Sequence, residues 1–231
     1  MEWVWTNFGL IWGLTLSHVW LSVLPIVIGF AVSIPLGYFA SRSKVARSIL
    51  LSVGGILYTI PSLALFIIIP VVIGTSILDP ANVVIALTIY AIAIMVRSAG
   101  DAFSSVPEPV QDSATAVGFS RAQRFFAVDF PLAGPVLLAG IRVVSVSTVS
   151  LVSIGSVIGV SSLGFLFTDG FQRNFYTEIW AGIVGTLVIA AVFDVILVLI
   201  GRVLMPWNRR GSAHLARILA KRRSVVVHQW N

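Results

Sequence analysis

The chain is predicted to be an all-α integral membrane protein of five spans, one domain, on three observations. Its 231 residues are 58% hydrophobic and only 10% charged, where a soluble domain carries about 25% charged residues, and its mean hydropathy is +1.00. Five segments reach the length of about 20 apolar residues that crossing a bilayer requires. Lysine and arginine gather in every second gap between those segments and in the C-terminal tail. That distribution disposes of the one reading the net charge of +6 invites, because the basic groups form no soluble face for nucleic acid. With no cysteine, a disulfide framework and a thiolate metal site are excluded.

The N-terminal stretch Trp3–Leu16 is apolar but too short to span, so residues 1–17 read as an interfacial segment. Trp3, Trp5, Trp12 and Trp20 suit the aromatic belt at the membrane boundary. A signal peptide is a poor fit, since Glu2 is the first charged residue and no basic region precedes the apolar part. His18, at the expected boundary, reads as interfacial filler. The first span is Val19–Ala40, holding Pro25 and Pro35 but no charge. The second, Ile49–Leu78, is longer than a crossing needs and is cut by Pro61 and Pro70, which predicts a kinked or broken helix. Ala81–Phe103 follows, with Arg97 and Asp101 at its far end; then Leu132–Val160, containing Arg142; then Ile179–Leu204, containing Asp194. Residues 205–231 form a basic tail, expected to anchor the end and to meet anionic lipid.

Orientation follows from the loops. The first holds Arg42, Lys44 and Arg47, the third Arg121 and Arg124, and the tail six more basic residues from Arg209 to Arg223. The second offers only Asp79, and the fourth only Asp169, Arg173 and Glu178. Positive charge stays on the cytoplasmic side, so the N-terminus is expected outside and the C-terminus in the cytoplasm. An odd number of spans demands the same arrangement.

The third loop, residues 107–131, is the most informative part of the chain. Val106-Pro107-Glu108-Pro109 closes the preceding span, and Glu108 and Asp112 complement the dipole of a new helix. Gly118 then ends it, as a residue free to take positive φ. Ser120 with Gln123 is a capping box that starts a second helix, with Pro131 and Pro135 expected to end it and open the fourth span. Helix, glycine corner, helix makes a compact polar knob.

Residues in this loop carry a resemblance. Asp112-Ser113-Ala114, then Gly118, then Val128-Asp129-Phe130-Pro131 is similar to the coupling loop of ABC-importer permeases, E-A-A, three residues, G, nine residues, I-x-L-P, with every spacing kept. Asp replaces Glu, Ser replaces Ala, Val replaces Ile and Phe replaces Leu. Thr59-Ile60-Pro61-Ser62-Leu63-Ala64, Ala139-Gly140-Ile141-Arg142 and Ile158-Gly159…Leu163-Gly164 resemble the glycine betaine/carnitine/choline subfamily, over most of residues 18–204. The last stretch is glycine-poorer than in that subfamily.

The resemblance implies a type I ABC-importer transmembrane domain in a bacterial cytoplasmic membrane, moving an osmoprotectant of the glycine betaine, choline or carnitine type. Another small solute, such as an amino acid or a thiol betaine, is the alternative. It implies four partners: a dimer of ATP-binding subunits, a second permease subunit, an extracytoplasmic solute-binding protein, and membrane lipid. ATP and Mg would be bound by the ATPase, since this chain has no G-x-x-x-x-G-K-[ST]. The ATPase-coupling residues would be Asp112, Ala114, Gly118, Val128 and Pro131.

Candidate pathway residues are Pro61, Ser62, Ser145, Thr148 and Asp194. Ser145, Thr148 and Ser156 share one stripe of the fourth span, suited to helix packing or to lining a pore. Asp194 should face protein or water, either paired with Arg142 or in the pathway. An ion-coupled carrier would need more deep charge than Asp194 alone. A membrane hydrolase would need a constellation that three scattered histidines and one deep carboxylate do not supply.

Overall fold

The computed structural model describes residues 2–207, and the basic tail expected from residue 205 lies almost wholly outside them. A short helix α1 (Glu2–Thr6) leads into α2 (Phe8–Arg42). Here the structure departs from the sequence reading: residues 8–16 are not a separate segment but the first turns of one 35-residue helix. Nothing there breaks it, because the polar residues bond back onto the helix itself. Thr15 Oγ1 donates to Ile11 O at 2.8 Å, and Ser22 Oγ to His18 O at 2.8 Å. His18 is accordingly not boundary filler. It is fully buried, with Nε2 2.9 Å from Val149 O.

The expected broken span is two helices, α3 (Lys44–Thr59) and α4 (Ser62–Ile73), bent by 99°. Proline drives the residue before it out of the helical region, and Ile60 sits at φ −66°, ψ 128°. The freed Ile60 carbonyl accepts the Tyr90 hydroxyl.

The next span is α5 (Pro80–Ser104), capped by the Asp79 side chain on Ala81 N at 2.9 Å. After it come α6 (Glu108–Ala116), α7 (Arg121–Arg124), a π turn (Phe125–Asp129) and α8 (Phe130–Val152). A 3₁₀ turn (Ser153–Ile158) ends at Gly159, α9 (Phe165–Gln172) is short, and α10 (Tyr176–Leu204) closes the fold. Helical structure is continuous from Arg121 to Ile158, so Pro131 and Pro135 do not separate the loop helix from the fourth span. In a regular α-helix the Pro131 ring would strike the carbonyl four residues back. The π turn, with Phe130 N donating to Phe125 O, widens the helix at that point.

The centre of the domain is α5 between α2, α3 and α8. Small residues let α2 approach it closely: a Cβ on Gly29 would lie 2.5 Å from the Ala91 Cβ, and one on Gly37 would collide with Ala99. Two buried clusters fill the space along α5, one around Phe66, Leu87 and Val152, the other around Met95, Phe103 and Leu137. A third joins Leu14, Val149, Leu163 and Ile189. By contrast α10 buries few residues and turns Leu187, Val192, Leu199 and Val203 outward, as a lipid-facing helix does.

Candidate coupling site and solute groove

The loop after α5 has the conformation its sequence encodes. Pro107 caps α6 in extended geometry, φ −63°, ψ 128°. At the other end Gly118 takes φ +96°. Phe119 N donates to Ala114 O at 3.1 Å and Gly118 N to Thr115 O at 3.0 Å, the paired bonds of a Schellman ending. Both halves of the capping box form: Gln123 N on Ser120 Oγ at 3.3 Å, and Ser120 N on Gln123 Oε1 at 2.9 Å. Arg124 Nη1 reaches Thr115 Oγ1 at 3.3 Å and ties α7 back to α6. The knob is therefore rigid, yet no residue of α6 or α7 is fully buried against the rest of the chain. Val117 and Phe126 are 80% and 72% exposed, and a shallow hollow lies between Phe119, Ala122, Gln123 and Ala127. Apolar side chains presented this openly on an ordered element mark a contact surface.

Beneath the knob sits Asp129, whose side chain is only 1% exposed. Its Oδ2 lies 3.3 Å from Arg42 Nη2, 3.4 Å from Arg124 Nε and 3.4 Å from the Tyr38 hydroxyl. Arg42 also donates to Tyr38 Oη at 2.7 Å and lies over its ring. Tyr38 meets Phe103 and Phe125 edge-on, at 5.3 and 4.8 Å. One carboxylate thus joins the end of α2 to the π turn that carries the knob.

A second concavity opens between α3, α5 and α8. One hollow of about 480 Å³ is lined by Tyr58, Ser62, Tyr90, Ser147 and Ser150. A neighbour of about 300 Å³ shares Tyr58 and Ser147 and adds Arg97, Ser98 and Val143. Together they form a mildly polar groove along the broken span.

The family is settled by the extent of the match: residues 33–210 fit the binding-protein-dependent transport system inner membrane component. The chain belongs to that family. This permease is 32% identical over 204 residues to the osmoprotectant import permease protein OsmW of Salmonella typhimurium, covering 87% of this chain and 94% of that one. It is 27% identical to the choline transport system permease protein OpuBB of Bacillus subtilis, over 87% of this chain and 91% of that one. Among solved structures it is similar to an inward-facing conformation of the MetNI methionine ABC transporter. The TM-score is 0.74 at 18% identity, over 86% of this chain and 98% of that one.

Within the permease, the residues expected from the sequence fall into three places. Asp112, Ala114 and Gly118 lie on the exposed knob, while Val128 and Pro131 flank Asp129 at its base. Pro61 is the break in the second span, and Ser62 lines the groove. Ser145 and Thr148 are 1% and 2% exposed, on the inner side of α8; the groove is lined instead by Ser147 and Ser150. Asp194 stands apart from the groove, bonded bidentately to Arg142 at 2.6 and 2.9 Å. Pairing of this kind offsets the cost of a charge within a span, about 2.5–3.5 kcal/mol at mid-helix. Sequence reasoning left Asp129 as a spacer in its motif. The signal was available, as one carboxylate in an apolar run between Phe125 and Leu132, with Arg121 and Arg124 just before it and Arg42, Lys44 and Arg47 in the first loop.

Proposed function

We propose that this chain is the permease subunit of an ATP-driven importer for an osmoprotectant of the glycine betaine, choline or carnitine type. The loop 107–131 would be its coupling element. The observation that carries the reading is the knob: a rigid, doubly capped helix pair at fixed motif spacing, with Val117 and Phe126 presented to a partner. Rigidity is what transmission needs, because a floppy loop would absorb the motion of the ATPase. A pair of ATPase subunits, binding ATP and Mg, would grip the knob from the cytoplasm. A second permease subunit would close the open side of the groove, and a solute-binding protein would deliver cargo from outside. On this reading the N-terminus is outside and the C-terminus is cytoplasmic.

The substrate class draws its support from the likeness to OsmW along nearly the whole of both chains. The groove is compatible with it. It offers hydroxyls and aromatic rings rather than the dense set of partners a sugar or peptide needs, where each polar group left unpaired costs about 1–3 kcal/mol. The test is uptake of radiolabelled glycine betaine, choline and carnitine under salt stress, in a strain lacking this subunit and other betaine carriers. Loss of uptake, restored by the gene in trans, is expected. Unchanged uptake of all three would overturn the osmoprotectant assignment in favour of an amino acid or thiol betaine.

A further inference from the structure

The groove has two chemically different ends. Tyr58 is half exposed at the break of the second span. Tyr90 stands against it nearly perpendicular, with centroids 6.0 Å apart, and its hydroxyl is tied to the Ile60 carbonyl. An aromatic face held in place this way suits a quaternary ammonium. Seven residues along α5 from Tyr90, about 10 Å on the same face, lies Arg97. Its guanidinium makes no hydrogen bond or ion pair among the described residues. It sits two turns inside the end of α5 and lines the hollow it shares with Tyr58, Ser98 and Ser147. Arg142, on neighbouring α8, has its carboxylate in Asp194; Arg97 has none. An unneutralised guanidinium inside a span, turned into a water-accessible groove, is placed to take an anionic partner from outside the chain, and the planar fork suits a carboxylate.

We propose that Arg97 receives the carboxylate of the passing solute while Tyr58, braced by Tyr90, receives its cationic end. The groove then selects carboxylate-bearing zwitterions over simple cations. This rests on the permease reading and narrows its substrate class, since glycine betaine and carnitine carry a carboxylate and choline does not. The same positive charge that attracts a betaine repels choline. Ser98 and Ser147 add hydroxyl donors beside the guanidinium.

The test uses the complete transporter, with its ATPase and binding protein, at membrane levels matched by immunoblot. Uptake of glycine betaine, carnitine, a thiol betaine, methionine and choline is measured for wild type, Arg97→Gln and Arg97→Lys. Arg97→Gln should lower the ratio of carboxylate-solute uptake to choline uptake at least tenfold, and Arg97→Lys should recover part of it. A ratio within twofold of wild type in Arg97→Gln overturns the assignment, as does an equal loss for every solute, which a snorkelling or merely structural arginine would give. A wild-type transporter that carries choline and none of the carboxylate solutes also overturns it, while leaving the osmoprotectant reading standing. If wild type carries methionine but no osmolyte, the osmoprotectant reading falls and the role of Arg97 is decided by methionine against its carboxylate-free amide: Arg97→Gln losing methionine uptake selectively supports the role, and equal loss of both overturns it.

Discussion

Gly118→Val and Gly118→Asn together separate backbone strain from side-chain bulk at the corner of the knob. No heavy atom lies within 4 Å of where a Cβ at this position would sit, so neither substitution meets a steric obstacle. What remains is φ +96°. A left-handed conformation costs an ordinary L-residue about 1–2 kcal/mol, more for a β-branched one and less for asparagine, which visits that region. A penalty of that size lowers the ratio of formed to unformed corner by roughly 5- to 30-fold. The Schellman bonds from Gly118 N and Phe119 N would go with it, freeing α6 from its fixed angle to α7. Gly118→Val should therefore insert normally yet lose most transport, while Gly118→Asn should keep most of it. The assay is solute uptake at matched membrane levels. It is paired with crosslinking from a cysteine placed at Val117, which is straightforward because the chain has none of its own. Wild-type transport by Gly118→Val, or an equal loss in both variants, refutes the reasoning.

Two further outcomes are expected. In intact cells, single cysteines at Asp79 or Asp169 should react with an impermeant thiol reagent and one at Ser120 should not; the reverse pattern would overturn the orientation. Asp129→Asn should destabilise the purified protein by about 1–3 kcal/mol, since the pairs are charge-assisted but Arg42 is two-fifths exposed, read as a lower Tm in detergent, and should reduce transport. An unchanged Tm would mean that the carboxylate does not hold the knob to α2.

The knob was legible because its chemistry is local. Ser120 and Gln123, three residues apart, form their box without help from the rest of the fold, and Gly118 needs only its own φ. Spans were legible from composition, and the break at Pro61 from steric rules that act on adjacent residues. Other features depended on distant partners. Spacing on α8 showed that hydroxyls recur along the helix, but contact with other helices decides that Ser145 and Thr148 are covered while Ser147 and Ser150 are left open. The burial of His18 depends on Val149, 131 residues away. Asp129 required Arg42 and Tyr38, which lie 87 and 91 residues earlier in the chain.

The π turn has a mechanical consequence. A π turn holds one residue more than the α turn it replaces, and each residue of an α-helix advances the chain about 100° around the axis. The direction in which the knob points, relative to the faces of α8, is thus an angular phase fixed by the residue count between Phe125 and Asp129. Deleting a single residue there would turn α6 and α7 by roughly a quarter of a revolution about α8, and would bring the Pro131 ring back against the carbonyl four residues before it. Torque from a partner at Val117 or Phe126 would then reach α8 along the wrong azimuth. The π turn thus serves two ends at once, sparing Pro131 its clash and setting the bearing of the knob.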